Sequence, residues 1–153
     1  MKHMKNQKGF SLIELLVVVI IIGIIAAIAI PSLLASRRAA NEASAISSLR
    51  TIHSAEVTYF ATTGANSNYA NTQGLYGAGL IDSTFNATGP TKSGYTFASS
   101  TAAGTYCASA VPSSTSTGTR NFAVGTEGVI YEVSGASVCA SGVLTTTGAS
   151  PIQ

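Results

Sequence analysis

The stretch Lys8-Gly9-Phe10-Ser11-Leu12-Ile13-Glu14-Leu15-Leu16-Val17-Val18-Val19-Ile20-Ile21-Ile22-Gly23 decides the architecture of this chain. A polar leader carrying Lys2, Lys5 and Lys8 ends at Gly9, and from Phe10 to Ala35 the only charged side chain is Glu14. Leu15 to Ile30 comprises twelve Leu, Ile or Val residues, three Ala and Gly23. As helix, Phe10 to Ala35 extends about 39 Å, enough to cross a hydrocarbon core of about 30 Å. Val17 to Ile22 is wholly β-branched, which in water favours strand. In lipid, each backbone N–H and C=O must find its partner within the segment, so helix wins. The lysines ahead of the run keep its N-terminus cytoplasmic.

Glu14 opposes insertion by roughly 3 kcal/mol at most. The twelve aliphatic residues, at about −0.3 to −0.6 kcal/mol each, favour it by roughly 4–7 kcal/mol. Insertion therefore prevails, and the carboxylate is left needing a purpose. An ionisable group inside a membrane segment is a functional candidate by default, against the plainer reading of a headgroup-level carboxylate that snorkels to the surface. The run does not read as a removable secretory signal, because its downstream end passes without a turn into a polar helix. The boundary that resembles a processing site lies ahead of it, at Gly9 and Phe10.

Downstream of Pro31 the composition changes. Pro31 lacks an N–H, so the Ala27 carbonyl loses its helical partner. Gly23 weakens the helix by about 1 kcal/mol relative to Ala. Ala39 to Thr62 contains neither Gly nor Pro and is rich in Ala, which predicts helix up to about Thr63, with Gly64 as the stop. Ile46, Leu49, Ile52 and Phe60, with Ala43 and Ala55, form a partial apolar face, and Arg37, Arg38, Glu42, Arg50 and Glu56 are expected mainly on other faces. Residues 65–92 read as a connecting loop with a short turn or helix near Leu75 to Ile81. Beyond Gly94, alternating stretches at 95–98, 105–111, 121–124 and 129–133 predict a four-stranded antiparallel meander covering the helix from about Ile46 to Phe60. Ser113 to Thr119 and Thr145 to Ser150 are low-complexity and expected to be exposed.

The expected fold class is therefore α+β: a long N-terminal α-helix packed on a four-stranded antiparallel β-sheet head. The expected divisions are residues 1–9 as leader, 10–35 as apolar transmembrane helix, 36–63 as amphipathic stem helix, and 64–153 as loop and head.

The 153 residues carry a formal charge of +2, but the leader supplies three of the eight basic side chains. Without it, five basic residues face six acidic ones, and no basic surface for nucleic acid is evident. Charged residues are 9% of the chain, against about a quarter in soluble domains, because of the apolar run and a Ser/Thr/Gly/Ala-rich C-terminal half. Cys107 and Cys139 both follow the apolar run. Exported, their simplest state is one intrachain disulfide, and two unpaired buried thiols are the alternative in a reducing compartment.

Gly9-Phe10-Ser11-Leu12-Ile13-Glu14, with the basic leader before it and the apolar run after it, resembles the processing and assembly motif of type IV pilins and their pseudopilin relatives. The resemblance covers roughly the first 55 to 60 residues. It implies cleavage between Gly9 and Phe10 by a prepilin peptidase and N-methylation of the new terminus at Phe10. It implies that Glu14 pairs with the N-terminus of a neighbouring subunit during assembly, and that Gly23 to Pro31 loses helical order in the filament. It supports a Cys107–Cys139 disulfide bounding the C-terminal region. It also implies a homopolymer whose apolar helix forms the filament core. The resemblance further implies a subunit that passes from the bacterial inner membrane, where the pilus assembly machinery acts, to an extracellular filament serving motility, adhesion or DNA uptake.

A major pseudopilin of a type II secretion system or a minor pilin are the related alternatives. Pseudopilins commonly use a calcium site where this chain has two spaced cysteines and few head carboxylates. No enzymatic activity is expected. His3 lies in the leader and His53 on the stem, where it reads as a surface or packing residue. The cysteines have no zinc spacing, and no calcium loop or phosphate-binding glycine motif occurs, so no cofactor or metal is expected.

Overall fold

The protein is described from a computed structural model over residues 9–133, 139–145 and 148–152. Leader residues 1–8 and part of the 145–150 tail lie outside these described residues. The chain separates into two compact units, Met1–Ser36 and Arg37–Gln153.

Helix α1 runs from Leu12 to Ala61 and keeps its helical assignment through Pro31. In the first unit its side chains are almost uniformly exposed, including Leu12, Ile13, Leu15, Ile28 and Leu33. An 18-residue window of this helix reaches a mean hydropathy of 3.2 with none of it buried. Such a surface lacks any partner within its own unit, which fits lipid or packed helices and not water.

The second unit holds the stem part of α1 and the head. Its sheet has six strands in the order β1 (Thr91–Lys92), β2 (Tyr95–Ala102), β3 (Thr105–Pro112), β4 (Asn121–Gly125), β5 (Ile130–Val133) and β8 (Ser150–Pro151), each antiparallel to its neighbour. The four longer strands are the expected meander. Two-residue strands extend it at either edge, with Thr91 opposite Thr96 and Pro151 opposite Tyr131. Period-2 alternation aims Tyr95, Phe97, Tyr106, Ala108, Ala110, Phe122, Val124 and Ile130 into one core with Ala45, Leu49, Ile52 and Ala55 of the stem. Leu75 of α2 (Thr72–Gly77) and Phe85 of a 3₁₀ turn (Ser83–Phe85) join that core from the connecting segment. Asn71 caps α2 by accepting the Gly74 N–H at 2.8 Å.

The opposite sheet face is partly covered too. A small hairpin of β6 (Cys139–Ala140) and β7 (Val143–Leu144) turns through Ser141 and Gly142, both at positive φ as a two-residue primed turn requires. Ala123 and Val133 are buried there against Tyr131, Cys139 and Leu144. This cover explains why five consecutive residues of β3, Tyr106 to Ala110, are all buried.

Candidate functional sites: the N-terminal segment and the stem–head joint

Gly9 and Phe10 precede the first helical residue, and both are exposed, Phe10 at 85%. Among the described residues, a Cβ on Gly9 would meet nothing within 4 Å. The first helical hydrogen bond runs from the Leu15 N–H to the Ser11 carbonyl at 3.3 Å, which makes Ser11 the capping position. Glu14 then falls in the first turn. A carboxylate there is favoured by the partial positive charge of the unpaired helix N–H groups. Ser11-Leu12-Ile13-Glu14 also has the S-x-x-E spacing of a capping box, a local signal for the helix start that is present in the sequence itself. Phe10 and Glu14 thus stand within about one turn of each other at the open end of α1. Gly23 and Pro31 lie inside the exposed apolar part of the same helix.

Cys107 and Cys139 are bonded to each other, with Cα atoms 5.5 Å apart and a sequence separation of 32. Cys107 lies fully buried in β3, and the bond ties the β6–β7 hairpin to the sheet. The disulfide belongs to the second unit and the Gly9, Phe10 and Glu14 set to the first.

Two stem carboxylates depart from the expectation that they face outward. Glu42 and Glu56 are both buried on the stripe formed with Ala45, Leu49 and Ile52, at helical spacings of three and four. Charge alone argued for solvent; polar groups arriving from the head outweigh it. Glu42 Oε2 accepts from Arg120 Nε at 2.9 Å and Nη2 at 2.7 Å, and Oε1 accepts the Thr119 N–H at 3.2 Å. Burial would raise the Glu42 pKa, but Arg120 and the Thr119 N–H together hold it below the ordinary value. Arg120 also donates from Nη1 to Glu132 at 3.2 Å and lies over the Phe122 ring.

Around this pair, Asn41 donates to the Thr117 carbonyl at 2.9 Å, and the Tyr95 hydroxyl donates to the Arg120 carbonyl at 3.0 Å. The Ser113 to Thr119 loop is exposed at Ser113 to Ser116, while Gly118 is buried under Tyr95. His53 is half-buried and hydrogen-bonded through Nδ1 to the Tyr106 hydroxyl. Among the described residues, no group of three or more His, Cys, Asp or Glu side chains could hold a metal ion.

Comparisons with known proteins bear on the first unit above all. Residues 4–30 match the family model of the prokaryotic N-terminal methylation motif. Over 39 residues the chain is 56% identical to the type IV wide pilus major component PilA4 of Thermus thermophilus, covering 26% of this chain and 30% of that protein. Over 70 residues it is 39% identical to the type IV major pilin protein PilA of Myxococcus xanthus, covering 46% of this chain and 32% of that protein. The matched region thus spans about a third of the length of either relative. No solved structure gives a significant match.

Proposed function

We propose, for a chain whose methylation motif and relatives support a type IV pilin, that it polymerises through its N-terminal helix into a type IV pilus filament. The observation that carries this reading is the exposed apolar surface of α1 from Leu12 to Leu34, interrupted by the single carboxylate of Glu14 and preceded by the Gly9–Phe10 junction of the methylation motif. Before assembly, that surface is held in the inner membrane with the basic leader on the cytoplasmic side. A prepilin peptidase removes residues 1–9, and Phe10 becomes the methylated N-terminus. The inner-membrane assembly machinery then moves the helix from lipid into a bundle of identical helices.

Both surroundings are apolar, so transfer between them involves little change in hydrophobic free energy, and close packing and polar pairing select the arrangement. Glu14 supplies that selection. A lone ammonium at Phe10 and a lone carboxylate at Glu14 are each unfavourable within a bundle, and pairing across subunits relieves both. The stretch Gly23 to Pro31 is the part of α1 least able to hold its helical bonds, and it extends on assembly. The head stays folded on the outside, its C-terminal region fastened by the disulfide. The role is structural and not catalytic.

Electron microscopy of sheared surface filaments, with mass spectrometry of their subunits, tests this directly. The expected subunit begins at N-methylated Phe10 and contains an intact disulfide. Filaments whose subunits retain residues before Phe10, or cells that hold the protein only as an inner-membrane monomer, would overturn it.

A further inference from the structure

Glu56 is completely buried on the stem's inner face. Its Oε2 accepts the Ala70 N–H at 3.1 Å, and among the described residues no protein group hydrogen-bonds Oε1. Among the same residues, no Lys or Arg forms an ion pair with it. Tyr106 from β3 interacts electrostatically with Glu56, and Tyr106 in turn meets Tyr69 from the connecting segment and His53, one turn earlier than Glu56 on α1. Tyr69 stacks on Phe60 at 4.6 Å and packs against Tyr106 at 4.9 Å between ring centroids. An ionised carboxylate in this place has one donor where it could accept several, and no counter-charge. A neutral acid is far less penalised there. Burial pushes the group up to about 7, against the opposing pull of the Ala70 N–H.

His53 holds the Tyr106 hydroxyl in place. Nδ1 meets the Tyr106 hydroxyl, and Nε2 faces the turn between β4 and β5, where a Cβ on Gly128 would come within 2.6 Å. Burial lowers the His53 pKa and so disfavours the imidazolium on this side of Tyr106.

We propose that Glu56 is a proton-operated latch between the stem helix and the chain leaving it: the neutral acid can stay buried at the joint while it accepts the Ala70 N–H, and ionisation, which puts an uncompensated charge there, draws the carboxylate towards water and loosens the joint. The latch is a property of the second unit and stands apart from the filament reading. Folding draws a proton onto Glu56, because its folded pKa lies above the ordinary 4.5. Stability from this group is therefore greatest in acid and declines as pH rises from 4.5 through about 7. His53 acts in the opposite sense, since protonation below its ordinary value of 6.5 disturbs the bond to Tyr106.

The test uses the full chain in detergent micelles, with near-ultraviolet circular dichroism following the tyrosines of the head. Between about pH 5 and about pH 8 the unfolding midpoint of the unsubstituted protein should fall relative to that of Glu56→Gln, whose profile keeps only the opposite contribution of His53. Infrared difference spectra of the unsubstituted protein should show a carboxylic-acid carbonyl band that disappears over the same interval. That titration decides the matter even if Glu56→Gln does not fold. A carboxyl group already ionised at about pH 5, or a Glu56→Gln profile parallel to the unsubstituted one, overturns the latch.

Discussion

Arg120 grips Glu42 with two nitrogens, Nε at 2.9 Å and Nη2 at 2.7 Å from the same oxygen, across 78 positions of sequence. One partner sits on the stem and the other at the entrance to β4, so the pair fixes how the stem helix lies on the sheet. Its side chains differ in exposure, 44% for Arg120 and 9% for Glu42. Arg120→Ala therefore strands a carboxylate that water hardly reaches, while Glu42→Gln leaves a guanidinium that Glu132 and solvent still serve. Breaking a fully buried pair costs roughly 3–5 kcal/mol. With Arg120 half in water, about 2 kcal/mol is expected for Arg120→Ala, and less for Glu42→Gln. Chemical denaturation of both variants checks the order; equal losses would mean that the exposure difference is immaterial.

The same pair sets the acid limb of stability. The Glu42 carboxyl is held below its ordinary value in the folded state. Its contribution is present above the unfolded value of 4.5 and is lost as pH falls through the folded one. In Arg120→Ala most of that depression disappears, so the stability of the variant should fall less steeply below about pH 4.5 than that of the unsubstituted protein. An unchanged acid limb would assign the loss to other carboxylates.

The contrast between what the sequence disclosed and what it hid follows from interaction range. The apolar run was legible because twenty-six residues with one charge allow a single solution in lipid. The long strands were legible because Tyr95, Phe97, Tyr106, Ala108, Phe122 and Val124 alternate with smaller or more polar neighbours. Strands of two residues, such as Thr91–Lys92 and Ser150–Pro151, have no period to read. Glu42 and Glu56 share a stripe with Ala45, Leu49 and Ile52, yet read as solvent-facing because their charge outweighed their spacing. Their partners, Arg120 and the Ala70 N–H, are brought in by the fold and leave no local mark.

Gly128 offers a packing test with its own control. It has φ +74°, and a Cβ there would lie 2.6 Å from His53 Nε2 and 2.9 Å from Cε1. The imidazole cannot retreat without giving up the Tyr106 hydroxyl. Gly104 has nearly the same backbone, φ +73°, but a Cβ there would meet nothing within 4 Å. Gly104→Ala should therefore cost only the left-handed strain, about 1 kcal/mol, and Gly128→Ala about 1–3 kcal/mol more from overpacking. Comparable melting temperatures for the two variants would show that the turn yields around His53.

The Cys107–Cys139 bond joins residues 32 positions apart and holds the β6–β7 hairpin over the sheet. On the chain-entropy account, such a loop contributes roughly 3–4 kcal/mol. Paired Cys107→Ser and Cys139→Ser substitutions should lower the midpoint in urea by that equivalent. The stem–head contacts at Glu42 should survive, since they lie on the other face. Loss of the head's tertiary signal without denaturant would show that the bond is required for folding at all.

Glu14 poses the sharpest test of the proposed assembly, because the two effects proposed for it move in opposite directions when it is removed. In the membrane the carboxylate opposes insertion by up to about 3 kcal/mol, so Glu14→Ala should enter the bilayer at least as well as the unsubstituted chain. In the proposed filament its absence would leave the Phe10 ammonium of a neighbour without a partner among apolar helices, an unfavourable state. Membrane fractionation should therefore show Glu14→Ala at normal or raised level, processed at Gly9, while the yield of sheared filaments falls about tenfold or more, the equivalent of about 1.4 kcal/mol per addition step. Glu14→Asp should restore part of the yield, since it keeps the charge but shortens the reach. Normal filament yield from Glu14→Ala would remove the charge pair from the proposed assembly mechanism and leave close packing of the α1 helices to select the arrangement.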